Sequence, residues 1–139
     1  MLDDLTAHIE ARPKNFGSMR DASAHGKITG PCGDTVEMWL RIDGGRIRKA
    51  SFMSDGCGYS VHCSSIAAKL AEGLRPEEAE KLTQAQVLEA TGSIPEDHRH
   101  CALLAANTIR EAIDNFRTEP AEPPLLQRLK SWLGGKKST

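Results

Sequence analysis

The sequence predicts an α+β fold, an antiparallel sheet with a layer of helices covering one face. Three observations carry that expectation. Residues 35–43 alternate, with Val36, Met38, Leu40 and Ile42 to one side and Glu37, Trp39, Arg41 and Asp43 to the other, the period of a half-buried strand. Asp43-Gly44-Gly45 then supplies a hairpin turn, because glycine permits the positive φ such turns require. From about residue 59 the period becomes helical, and a sheet with one wet face needs helices on the other.

Each element has its own signal. Residues 2–11 predict a short helix with Leu2, Leu5 and Ile9 on one face, ended by Arg12-Pro13. Residues 14–27 are polar and lack a clear period, so an extended or mobile arm is expected. Ile28-Thr29-Gly30 reads as a short strand, and residues 46–54 as the second hairpin strand with Ala50 and Phe52 inward. The helix over residues 59–72 has an expected stripe of Val61, Ile66 or Ala67, and Leu70, with Gly73 at its C′ position. Arg75-Pro76-Glu77-Glu78 predicts the first turn of a short helix, with proline early and acids at the positive end of the dipole. Thr83 is expected to cap another that carries Val87 and Leu88. After a loop at 91–97, a last core helix spans residues 99–116, with Ala102, Ala105, Ala106, Ile109, Ile113 and Phe116 facing in. Residues 1–117 thus form one domain. Residues 118–139 form a proline-rich linker and a basic amphipathic tail, whose stripe at 125–133 predicts an added C-terminal tail helix. That segment either packs on its own domain or stays disordered, or else docks on a partner or makes a weak membrane-surface contact.

Composition removes several classes of function. A chain of 139 residues can bury a real core. Its formal net charge of −1 argues against nucleic acid as a partner, which requires a basic face. Met1-Leu2-Asp3-Asp4-Leu5 lacks the basic start and apolar run of a signal peptide and is too acidic for a mitochondrial presequence. No apolar run approaches the roughly 18 residues of a transmembrane segment. The expected location is cytoplasmic, where thiols stay reduced. Four cysteines there favour metal or thiol chemistry over disulfides, against the plain alternative of buried, inert thiols.

Local context points three of the sulfurs toward chemistry. Cys32 lies in Gly30-Pro31-Cys32-Gly33-Asp34, Cys57 in Asp55-Gly56-Cys57-Gly58, and Cys101 follows His100 at the head of a helix. Each sits at the end of an element, so a helix packed over the sheet end would bring the three together. Helix amino termini also favour thiolates. Three thiolates with a carboxylate or imidazole satisfy tetrahedral zinc or a [2Fe–2S] cluster. The hard oxygen of Asp34 is an uncommon cluster ligand, so a set that includes it should hold a cluster loosely, as suits a protein that builds one and gives it away.

These motifs, with Ala50-Ser51-Phe52 before the second and Ala102-Leu103-Leu104-Ala105 after the third, resemble the IscU/NifU-type iron–sulfur cluster assembly scaffold family. Pro13-Lys14-Asn15-Phe16-Gly17 resembles the arm these proteins carry upstream. The likeness covers roughly residues 10–117 and not the tail. It implies a three-stranded antiparallel sheet packed against a layer of helices. It further implies a non-enzymatic scaffold that takes persulfide sulfur from a cysteine desulfurase, builds a transient [2Fe–2S] cluster with iron, and passes it to apo iron–sulfur proteins as a monomer or dimer. By resemblance Cys32, Cys57 and Cys101 are the cluster thiolates, Asp34 tunes lability, His100 is an alternative ligand and Cys101 is the persulfide acceptor. Zinc is an alternative occupant of the same pocket.

The chain departs from the family pattern at two places. Gly92-Ser93-Ile94-Pro95-Glu96-Asp97-His98-Arg99 replaces the Leu-Pro-Pro-Val-Lys segment gripped by the family's Hsp70-type chaperone, which leaves that chaperone a doubtful partner. Cys63 stands where serine is usual; six residues beyond Cys57 it turns about 240° away on a helix and is expected to be buried. Among the histidines, His8 and His25 are expected at the surface, His62 on the helix facing either way, and His98 in an exposed loop.

Two other functions compete with the scaffold. A zinc-bound sulfur acceptor that activates a desulfurase without building a cluster would typically carry an insertion between the second and third cysteines, and residues 58–100 show none. A thiol enzyme using Cys101 and His100 is disfavoured, because adjacent helical residues point about 100° apart.

Overall fold

A computed structural model of the chain describes residues 13–31 and 33–118. The expected helix over residues 2–11, the 125–133 tail helix and Cys32 lie outside the described residues. Among the described residues, β1 (Ala24–Thr29), β2 (Thr35–Asp43) and β3 (Arg46–Ser54) form one antiparallel meander in sequence order. The helices are α1 (Gly58–Ala71), α2 (Pro76–Ala79), α3 (Gln84–Thr91) and α4 (His100–Thr118), with a 3-10 turn at Glu96–His98.

The hairpin follows its alternation. Val36, Met38 and Leu40 of β2 are fully buried, as are Ile47 and Phe52 of β3, and Ala50 beside them is nearly so. Ile47 and Ala50 are three apart, yet both face inward. The pairing explains this: Arg41 faces Lys49 while Ile42 faces Ile47, so Arg48 is an extra residue in β3. A bulge of this kind restores the inward phase.

β1 begins earlier than Ile28. Ala24 to Thr29 pair with Leu40 to Thr35, so the last part of the expected arm is strand. The arm's first part is also tied down. Asn15 carbonyl accepts from Phe52 N–H at 3.0 Å, Gly17 N–H donates to Phe52 carbonyl at 2.7 Å, and the Phe16 ring meets Phe52 edge-on at 5.3 Å. Asn15 Nδ2 also donates to the Ser65 carbonyl at 3.0 Å, which fastens the arm to α1.

α4 carries the helix layer across the sheet on the face that includes Ala102, Ala105, Ile109, Ala112 and Ile113. It lies very close to β1. A Cβ on Gly26 would stand 2.5 Å from Ala112 N and 2.8 Å from the Thr108 carbonyl oxygen, so only glycine fits there.

α1 is turned away from its expected stripe. Of that stripe Ala67 is fully buried, but Val61, Ile66 and Leu70 are only half-buried, and Ser60, Cys63, Ser64, Ser65, Ala68 and Ala71 face the core beside Ala67. The helix packs against β3, α3 and α4 at once, and small side chains allow all three approaches. Gly73 follows its end with φ 89°, and Thr83 caps α3 by accepting from Gln86 N–H. α4 starts one residue later than expected, and its fully buried Ile109 and Ile113 complete the core.

Candidate metal centre

Different elements deliver the donors to one end of the sheet. β3 ends at Ser54, and Cys57 follows as the N-cap of α1. Ser54 Oγ accepts from Gly56 N–H at 3.1 Å and meets Ser60 Oγ at 2.9 Å, which fixes the loop that presents the thiol. At the foot of β2, the Asp34 carbonyl accepts from Gly30 N–H at 2.7 Å. One residue on, Thr35 N–H donates to the Asp55 carboxylate at 2.7 Å. The loops before β2 and after β3 are thereby joined.

Gly56 is needed for close approach. Its φ is not positive, but a Cβ there would lie 2.7 Å from Asp34 Oδ2 and 2.9 Å from Ser60 Cβ. The missing side chain lets the Asp34 carboxylate rest against the backbone beside Cys57.

His100 and Cys101 open α4. The donor atoms of Asp34, His100 and Cys101 lie within 4.8 Å of one another, and so do those of Cys57, His98 and Cys101. Cys101 Sγ belongs to both groups. His98 Nδ1 stands 3.7 Å from Cys57 Sγ, and His100 Nε2 stands 3.9 Å from Cys101 Sγ. The backbone divergence expected between residues 100 and 101 does not keep that imidazole from the sulfur.

The two described thiols of the pocket differ in exposure. Cys57 is exposed, whereas Cys101 is 1% exposed. A helix amino terminus favours thiolate, but burial outweighs it at Cys101. Its thiol is pushed up to about 12, first by burial and then by the charges of Cys57 and Cys63, a hydrogen bond to Cys57 and the charge of Asp34. Burial thus favours the neutral thiol at Cys101, and ligation has to release its proton. The donor chemistry fits a soft or borderline metal: sulfur and imidazole suit zinc and iron–sulfur clusters, while calcium and magnesium require oxygen.

Residues 4–123 match the model of a family described as the NifU-like N terminal domain. The chain belongs to that family. It is 38% identical over 117 residues to the iron-sulfur cluster assembly scaffold protein IscU 1 of Archaeoglobus fulgidus, covering 83% of this chain and 76% of that protein. It is 34% identical over 119 residues to the iron-sulfur cluster assembly protein IscU of Plasmodium falciparum, covering 83% of this chain and 72% of the other. A solved structure, the N-terminal part of a nitrogen-fixing NifU-like protein from Brucella abortus, superposes with a TM-score of 0.60 at 18% identity. The match covers 77% of this chain and 88% of that one, and the likeness is one of fold.

Within this NifU-like chain the geometry brings Asp34, Cys57, His100 and Cys101 together; Cys32 lies outside the described residues. Sequence reasoning missed His98. The residue sits in the 3-10 turn, not in a loop, and its side chain is 31% exposed. Its ring tilts 33° against Tyr59 with centroids 4.5 Å apart. The available signal was its spacing: His98 precedes His100 by two residues. Cys63 is fully buried, with its thiol pushed up to about 12 by burial and then by the charge of Cys57. His62 is half-buried, with Nε2 3.4 Å from the Thr91 carbonyl oxygen, and His25 is exposed and paired with Glu37 at 2.8 Å. Among the described residues, no helix is long and apolar enough to cross a membrane.

Proposed function

We propose that this protein is a scaffold on which iron and sulfur are assembled into a [2Fe–2S] cluster for delivery to apo iron–sulfur proteins. The observation that carries the reading is the convergence of Asp34 from the foot of β2, Cys57 from the N-cap of α1, and His100 and Cys101 from the start of α4, around the Cys101 sulfur. The names of relatives such as the scaffold protein of Archaeoglobus fulgidus support it. The cluster is cargo, held by Cys57 and Cys101 together with Cys32, which lies two residues from Asp34 in the sequence. Asp34 and His100 complete the set. A hard oxygen among soft donors keeps the cluster labile.

In this reading Cys101 accepts sulfane sulfur from a cysteine desulfurase. The sulfur–sulfur bond of the desulfurase persulfide breaks, the terminal sulfur bonds to Cys101 Sγ, and the desulfurase thiolate leaves. The Cys101 proton has to depart first, and burial opposes that. Cys57, Asp34 and His100 could hold a cation there, which would favour the thiolate and offset the penalty. Residues 1–117 act as the working domain, and the whole operates in the cytoplasm.

Anaerobic reconstitution with iron, cysteine and a desulfurase, followed by visible absorption and metal analysis, tests the scaffold. Sulfide-to-iron charge-transfer bands with stoichiometric iron support it. The zinc-bound sulfur acceptor is the second reading, favoured by the zinc-like donor set of Cys57, His98 and Cys101. Stoichiometric zinc, no cluster and a faster desulfurase would replace the scaffold with that reading.

A further inference from the structure

We propose that His98 is a metal ligand, and that with Cys57 and Cys101 it forms a three-donor site for a divalent first-row cation such as zinc. This donor set overlaps the Asp34–His100–Cys101 group, with which it shares the Cys101 sulfur.

One donor pair already stands at the spacing of a tetrahedral zinc site. Zinc bonds of about 2.3 Å to sulfur and about 2.0–2.1 Å to nitrogen place tetrahedral donors about 3.6 Å apart. His98 Nδ1 and Cys57 Sγ are 3.7 Å apart, and all three donor atoms fall within 4.8 Å. The imidazole is positioned by Tyr59, whose ring centroid stands 4.5 Å from its own.

The backbone holds the ring in place. His98 N–H donates to the Pro95 carbonyl at 2.9 Å, and Gln84 Nε2 reaches the Arg99 carbonyl at 2.9 Å, which ties the turn to α3. The nearly parallel rings of His98 and His100, 6.5 Å apart, flank the shared sulfur. Among the described residues three donors form this set, and a tetrahedral cation takes a fourth from water or another thiolate; the exposure of Cys57 gives solvent access to it.

The site shares Cys57 and Cys101 with the scaffold reading, so the test separates the two. Cobalt(II) is titrated into the metal-free full-length chain, anaerobically and reduced, and d–d and sulfur-to-cobalt bands are recorded, with zinc competition giving affinity. His98→Ala should weaken cobalt and zinc binding by at least about tenfold. His98→Cys should restore affinity and strengthen the sulfur-to-cobalt band, a change that a merely structural role for His98 would not produce. Unchanged spectra and affinities in His98→Ala, with loss in His100→Ala instead, would overturn the proposal even if the parent builds a cluster. Loss in His98→Ala sustains it even if the parent builds none.

Discussion

Asp34 and Gly56 are in contact: a Cβ on Gly56 would sit 2.7 Å from Asp34 Oδ2. Gly56→Ala must therefore displace the carboxylate or the Cys57 loop, both of which line the candidate centre. Perturbing the support of metal ligands typically costs about 10- to 100-fold in affinity. We expect that range for cobalt(II) binding by Gly56→Ala, with the helical circular dichroism of the parent retained. Equal affinity would show that the contact is dispensable.

Asp34 also supplies the hard donor among soft ones. A reconstituted Asp34→Ala protein should lose its cluster several-fold more slowly than the parent when challenged with a chelator, followed by decay of visible absorption. Equal lifetimes would remove Asp34 from the release step.

The buried thiols predict an alkaline weakness in the metal-free protein. Cys63 and Cys101 are each raised from 9.0 to about 12. Between those values the unfolded chain has lost protons that the folded chain retains, so stability falls as pH rises. Below pH 9 both states hold the protons and the contribution is intact. Each thiol makes the decline steeper by up to ~1.4 kcal/mol per pH unit. Urea unfolding of Cys63→Ser from pH 8 to 11 should show a shallower decline than the parent. Parallel curves would contradict the shift at Cys63.

Gly26→Ala tests the packing that carries α4. The added methyl would meet Ala112 N at 2.5 Å, and backbone cannot yield as a flexible side chain does. Overpacking of this kind costs about 1–3 kcal/mol or more. A lower urea midpoint with unchanged slope is the expected result. Because α4 also presents His100 and Cys101, metal affinity should fall with it.

The parts of the fold legible in the sequence are those with strong periodicity. Val36, Met38 and Leu40 mark β2 unmistakably, and Gly44 and Gly45 take the positive φ expected of the hairpin turn. β1 is harder to read, because its inward residues before Ile28 are Ala24 and Gly26. Gly26 is buried only because α4 lies on it, a tertiary cause without a local sign. α1 hides its face similarly: Ser60, Ser64 and Ser65 are buried for their small size, so a search for large apolar residues selects Val61 and Leu70 instead. At the centre, glycine-flanked Cys57 and the His100-Cys101 pair announce themselves. His98 does not, because its position depends on a 3-10 turn and on the Tyr59 ring of a distant helix.

Cluster transfer is the most direct test of the central claim. The anaerobically loaded protein is mixed with apo-ferredoxin in the presence of a chelator, and the ferredoxin's reduced electron paramagnetic resonance signal is followed. The scaffold account predicts that holo-ferredoxin appears as the donor's visible absorption decays, faster than from free iron and sulfide under the same chelator. Ferredoxin that loads no faster from the protein than from free iron and sulfide, or a protein that retains zinc and never holds a cluster, would contradict it.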